Sequence, residues 1–170
     1  MNELLKQFER EFEKAKKELK FKATLKELDD IFYLKDFIMK ENYVSDRVTR
    51  QIARRIMEVY ISWAQYLHGI IMINPGSLIN VVESQAFGEE EKEEMGKIFD
   101  RLMAITAENN IIGITKNKEK ERTFIDGSLA LWREISPKLK DIMNMVYDKW
   151  NERAKAKPAK KEKKIDTMYG

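Results

Sequence analysis

The sequence predicts an all-α protein, a single-domain antiparallel bundle of about five to six helices. Leu, Ile, Met, Glu, Lys and Ala abound, whereas the 170 residues include just 7 Gly and 3 Pro, too few to punctuate an all-β chain. Apolar residues recur at helical spacing through most of the chain. The length suits one core rather than two. The domain is expected to span residues 1–152, followed by a disordered lysine-rich tail at 153–170.

The first helix should run from about residue 2 to 20, where Leu5, Phe8, Phe12, Ala15 and Leu19 alternate spacings of three and four. This is the rhythm of a coiled-coil seam, but two heptads cannot stand alone in water, so the seam must pack on the body or on a second copy. A second helix is expected from Thr24 to about Asn42, through Leu28, Ile31, Phe32 and Phe37. Thr24 and Glu27 have the spacing of a capping box at its start.

A third helix is read over roughly 46–73, with Ser45 as cap and Asp46 at the positive end of the dipole. At 100° per residue Val48, Ile52, Ile56, Val59, Trp63, Tyr66, Leu67 and Ile70 share one side, the expected core face. Arg47, Arg50 and Arg54 fall opposite it and Arg55 toward the flank, which predicts an exposed arginine stripe. Guanidinium offers a rigid bidentate fork that lysine lacks, so the stripe suits either an ion network or an anionic partner such as nucleic acid. Within the chain, Asp46, Glu58 and the acidic block Glu83, Glu89, Glu90, Glu91, Glu93 and Glu94 are the candidate counter-charges.

Between Glu58 and Glu83 lie 24 residues without a charge, VYISWAQYLHGIIMINPGSLINVV. A membrane span is excluded by the NPGS break, which leaves about 15 residues, too few for a hydrocarbon core of about 30 Å. The run instead predicts a helical hairpin at the hydrophobic centre, turning at Asn74, Pro75 and Gly76 into a short helix over 77–87. Its uncharged outer face is also a candidate subunit interface.

A fifth helix should open at Gly88 and follow Met95, Ile98, Phe99, Leu102 and Ile105 to an end at Asn109 and Asn110. The segment 111–125 is where strands are credible. Ile112 alternates with Ile114 and Thr123 with Ile125, so a small β-hairpin or exposed loop is expected there. From Ser128 the chain reads as helix again, with Pro137 marking a kink or a fresh start. Leu139, Ile142, Met143, Val146 and Trp150 continue a buried stripe.

The net charge is +3, of which residues 153–170 carry +5, so residues 1–152 sum to −2. Lys160, Lys161, Lys163 and Lys164 form the densest run, an electrostatic arm fitted to a polyanion. Without cysteine, disulfides, thiolate chemistry and sulfur-ligated zinc drop out. The charged N-terminal stretch MNELLKQFEREFEK has no signal-peptide apolar core, and the expected compartment is the cytoplasm. Abundant Glu and Lys with little Gln follow the hyperthermophile bias.

No nucleophile elbow, phosphate loop or dinucleotide fingerprint occurs, and no cofactor or metal is expected. The single histidine, His68, excludes the paired Glu-x-x-His sites of di-iron bundles. The Glu89–Glu94 cluster on a helix is similar to the magnesium-binding helices of all-α nucleotide pyrophosphohydrolases, without their second acidic motif. A winged helix-turn-helix, with 77–87 leading into a recognition helix and 111–125 as wing, would turn five carboxylates toward phosphates. The favoured reading is a non-enzymatic binding or assembly subunit. It would engage nucleic acid or an acidic protein surface through Arg47, Arg50, Arg54 and Arg55, with the tail lysines assisting. In architecture this is similar to the small helical subunits of CRISPR effector complexes. The alternative is a homodimeric structural protein whose arginines pair with the acidic helix of its mate.

Overall fold

The computed structural model describes residues 3–156, which form seven helices and no strand among them. They are α1 (Glu3–Leu19), α2 (Leu25–Phe32), α3 (Leu34–Glu41), α4 (Val48–Ile71), α5 (Leu78–Ser84), α6 (Glu89–Thr115) and α7 (Lys118–Lys155). No helix among the described residues is long and apolar enough to cross a membrane.

The long helix α4 is the hub, with every other helix packed on it. Arg50 meets Asn109 and His68 meets Phe99, so α6 runs antiparallel to α4. Thr49 meets Glu121 and Tyr60 meets Ser128, so α7 runs parallel to α4. Arg101 to Glu134 and Lys138 to Glu94 then mark the antiparallel crossing of α6 and α7. The core fills the space between these three and α1, with Phe8, Phe12, Ile52, Ile56, Tyr60, Leu67, Leu102 and Ile125 fully or almost fully enclosed. The α1 seam therefore packs on the body, through Phe8 and Phe12, with Leu5, Ala15 and Leu19 half-buried at its edges.

The expected single helix over 24–42 is two. Tyr33 adopts a left-handed backbone, φ 53°, and stands exposed while the chain bends around it. The bend turns Phe32 and Leu34 into the core together, which one straight helix could not do. Both sides of the break are capped: the Asp29 carboxylate accepts from the Lys35 N–H at 2.8 Å, and Arg55 Nε donates to the Phe32 carbonyl at 2.7 Å.

At the start of α2 the capping box forms as the sequence indicates. The Thr24 hydroxyl accepts from the Glu27 N–H, and Glu27 Oε2 accepts from the Thr24 N–H at 3.0 Å. These bonds to Thr24 hold the Glu27 carboxyl below its ordinary 4.5. A carboxyl lowered in the folded state stabilises above its unfolded value and loses that contribution as pH falls through the folded one. Acidification from about pH 5 should therefore weaken the wild type more than Glu27→Gln, as read from the two thermal midpoints against pH.

The segment 111–125 holds no β-hairpin. α6 runs on to Thr115, because Ile112 is buried in line with Ile98, Leu102, Thr106 and Asn109. Lys116, left-handed at φ 52°, ends α6, and the Asn117 side chain caps α7 by accepting from the Lys120 N–H at 3.0 Å. With helix where the wing was expected, the winged arrangement is gone. α7 then continues for 38 residues through Pro137, neither ending nor restarting there, and takes in 151–155. Ser45 does not cap α4: its hydroxyl accepts from the Arg47 N–H, and Arg47 occupies the cap position.

The uncharged run divides: its α4 half lies in the core as expected, with Tyr60, Ala64, Leu67 and Ile70 buried, whereas its turn and the outer side of α5 form an exposed tip. Asn74 shapes the turn, its carbonyl accepting from the Ser77 N–H and its side chain from the Gly76 N–H. The short α5 folds back onto α4 with Asn80 over Gly69, where an added Cβ would stand 2.8 Å from Asn80 Nδ2. On its other side Glu83 is buried and its carboxylate accepts from the Trp150 indole N–H at 3.1 Å, tying the hairpin to α7. The Tyr66 hydroxyl is pushed above its ordinary value by burial and then by the charge of Glu83.

Candidate functional site

The four arginines near the start of α4 do not form an exposed stripe. Between them they reach α7, α6, α2 and α3. Arg47 pairs with Glu121 of α7, which is completely buried and also accepts from the Thr49 hydroxyl at 2.6 Å. Arg50 donates to the side-chain and backbone oxygens of Asn109 on α6, at 2.7 and 3.2 Å. Its guanidinium lies over Gly113, where a Cβ would come within 2.6 Å of it. Arg55 caps α2 and sits over the Phe37 ring of α3 at 5.8 Å. Arg54 is the most exposed of the four, between Glu58 at 3.2 Å and Glu41 of α3 at 3.6 Å.

The cause lies in the position of α4. A helical wheel assumes one covered face, but α4 is wrapped on several sides, so Thr49, Gln51 and Ala53 are buried as well as Ile52 and Ile56. Side chains assigned to solvent at this end meet neighbouring helices instead. Guanidinium suits that place because its several donors can satisfy carboxylate, amide and carbonyl oxygens at once.

The acidic block does not meet these arginines. Glu91 accepts from the Gly88 N–H at 2.9 Å, capping α6. Lys97 lies 3.1 Å from Glu93 and 2.8 Å from Glu94, and Lys138 lies 3.3 Å from Glu94. The bonds from Lys97 and then Lys138 hold the Glu94 carboxyl below its ordinary value. No group of three or more His, Cys, Asp or Glu among the described residues is arranged to hold a metal. His68 is exposed beside Phe99, 5.7 Å between ring centroids, in a recess of about 340 Å³ lined by Gln65, Met103 and Thr106. Lys160, Lys161, Lys163 and Lys164 lie outside the described residues.

Around the turn of the uncharged run the fold exposes apolar side chains. Met72, Ile73, Leu78 and Ile79, on both sides of the NPGS turn, are 63, 47, 59 and 58 % exposed. They fall inside the uncharged run, on the outer face that the sequence marks as a candidate interface. The turn was the available signal: a Pro-Gly tip must reach the surface, and the residues flanking it go with it. Glu83, Trp150, Asn80 and Gly69 hold this tip against α4 and α7, so the apolar side chains stand on an anchored support. Comparison of the chain with protein-family models, with curated proteins and with solved structures gives no match in any of the three.

Proposed function

We propose that this chain is a non-catalytic helical assembly protein that associates with a second copy of itself through the tip between α4 and α5. The observation that carries the reading is the exposure of Met72, Ile73, Leu78 and Ile79 together on one anchored turn. Exposed apolar surface of this kind is ordinarily covered by a partner.

A second copy fits the chemistry of the tip. A two-fold contact sets a patch against itself, so any charge in it would face its own like. From residue 59 to 82 there is none. At on the order of 100 Å² apiece, the four side chains offer about 800 Å² when two copies meet, and the polar rim of Asn74 and Asn80 brings the contact toward the 1,200 Å² of specific interfaces. The reading with an anionic partner finds less support, since Arg47, Arg50 and Arg55 already spend donors inside the protein.

Sedimentation velocity tests the proposal. The wild type should be a dimer at micromolar concentration, unchanged in high salt, and Leu78→Asp with Ile79→Asp should be a folded monomer. A wild type that stays monomeric, or a dimer that salt dissolves and the two aspartates leave intact, would overturn it. Salt-sensitive association lost on Arg54→Glu would instead favour an arginine interface. In an anisotropy titration with single-stranded RNA, binding that falls with Arg50→Ala and Arg54→Ala would favour a nucleic-acid partner.

A further inference from the structure

Toward the end of the bundle away from the arginines, the first turns of α6 and the middle of α7 line a groove of about 380 Å³. Its floor is apolar, with Phe87, Met95, Ile98 and Ile142 against the α7 side chain of Met145. Its rim is acidic: Glu90, Glu91, Glu94 and Asp141 face one cation, Lys138. Glu91 is fixed by the Gly88 N–H, and Glu94 by Lys97 and Lys138, so part of the rim is set before anything binds. A floor of this kind with carboxylates along it matches a polypeptide segment that carries lysines beside apolar side chains.

We propose that the occupant is the lysine-rich C-terminal sequence of the same chain, KPAKKEKKIDTMYG, residues 157–170. Lys160, Lys161, Lys163 and Lys164 supply the charge that the rim lacks, and Ile165, Met168 and Tyr169 supply apolar groups for the floor. The reach is sufficient. Met145 lies 11 residues before Ala156, about 16 Å along α7. The nine residues from 157 to Ile165 span up to about 30 Å when extended, so Ile165 and the residues after it can come back over the groove. In this arrangement the lysines neutralise the acidic start of α6 and are withheld from other polyanions while the groove is filled.

The chain has no cysteine, so a spin label can be placed on the full-length protein through Met168→Cys alone. Amide signals of Phe87, Glu90, Asp141 and Met145 should lose most of their intensity, while those around Tyr33 and Lys116 keep theirs. Glu90→Lys with Asp141→Lys, both at exposed positions, should lower occupancy about tenfold, and Lys163→Glu with Lys164→Glu should do the same from the other side. Uniform broadening, or broadening indifferent to both pairs of reversals, would overturn the proposal. So would broadening that survives when labelled chains without ¹⁵N are mixed with unlabelled ¹⁵N chains, since the occupant would then come from another copy.

Discussion

Arg47→Ala should lower the unfolding free energy by about 3–5 kcal/mol, the cost of stripping the cation from a carboxylate that cannot reach water. Glu121 is completely buried, and its second partner, the Thr49 hydroxyl at 2.6 Å, satisfies one oxygen without balancing the charge. Arg47 is itself about a third exposed, so the penalty belongs to the acid left behind rather than to the arginine removed. Arg47→Ala with Glu121→Leu should accordingly recover most of the loss. Arg54→Ala, which removes exposed pairs about two helical turns away, should stay within about 0.5 kcal/mol. Urea denaturation of the four proteins decides the matter. If Arg47→Ala and Arg54→Ala cost the same, the bond from α4 to α7 has no special standing.

Tyr60→Ala should cost a similar amount, about 3–5 kcal/mol, by a different route. Tyr60 is fully enclosed where α2, α4 and α7 meet, its ring edge-on to Phe32 at 5.9 Å and stacked with Trp132 at 6.3 Å. Its hydroxyl donates to the Ser128 carbonyl at 2.6 Å, and burial pushes the phenol above its ordinary range. Tyr60→Phe keeps the rings and gives up that bond, so it should cost about 1 kcal/mol. The two variants separate packing from hydrogen bonding at one position. Near-ultraviolet circular dichroism should report the loss of the Trp132 environment in Tyr60→Ala and its survival in Tyr60→Phe.

Both positions bear on what the sequence could reveal. Where a helix buries an unbroken apolar stripe, the reading holds: Phe8 and Phe12 on α1, and Ile52, Ile56, Leu67 and Ile70 on α4, are enclosed as their spacing indicates. It fails where polar residues stand in the stripe. α6 continues past Asn110 on a face that includes Thr106 and Asn109, and α7 begins with a face that includes Glu121 and Ser128, all four buried. Interrupted in this way, Ile112, Ile114 and Ile125 look like alternating strand residues. The polar interruptions and the apparently superfluous arginines are halves of the same contacts, Arg50 with Asn109 and Arg47 with Glu121. Neither half can be understood before the helices are placed, because the partners lie 59 and 74 residues apart. The tip was half legible: its lack of charge showed in the sequence, its exposure depended on where α5 folds back.

The Asp126 carboxylate accepts from the backbone N–H groups of Lys22 and Ala23, and this closes the connection between α1 and α2 onto α7 across 104 residues. On a ribosome adding about 5–20 residues per second, the partner for that connection is made roughly 5–20 s after it. Phe8, Phe12 and Phe21, which the finished protein encloses, are therefore synthesised long before the carboxylate that fixes the connection beside Phe21. For those seconds the nascent N-terminal third presents an aromatic surface of the kind that chaperones at the tunnel exit retain, and slower translation lengthens the wait.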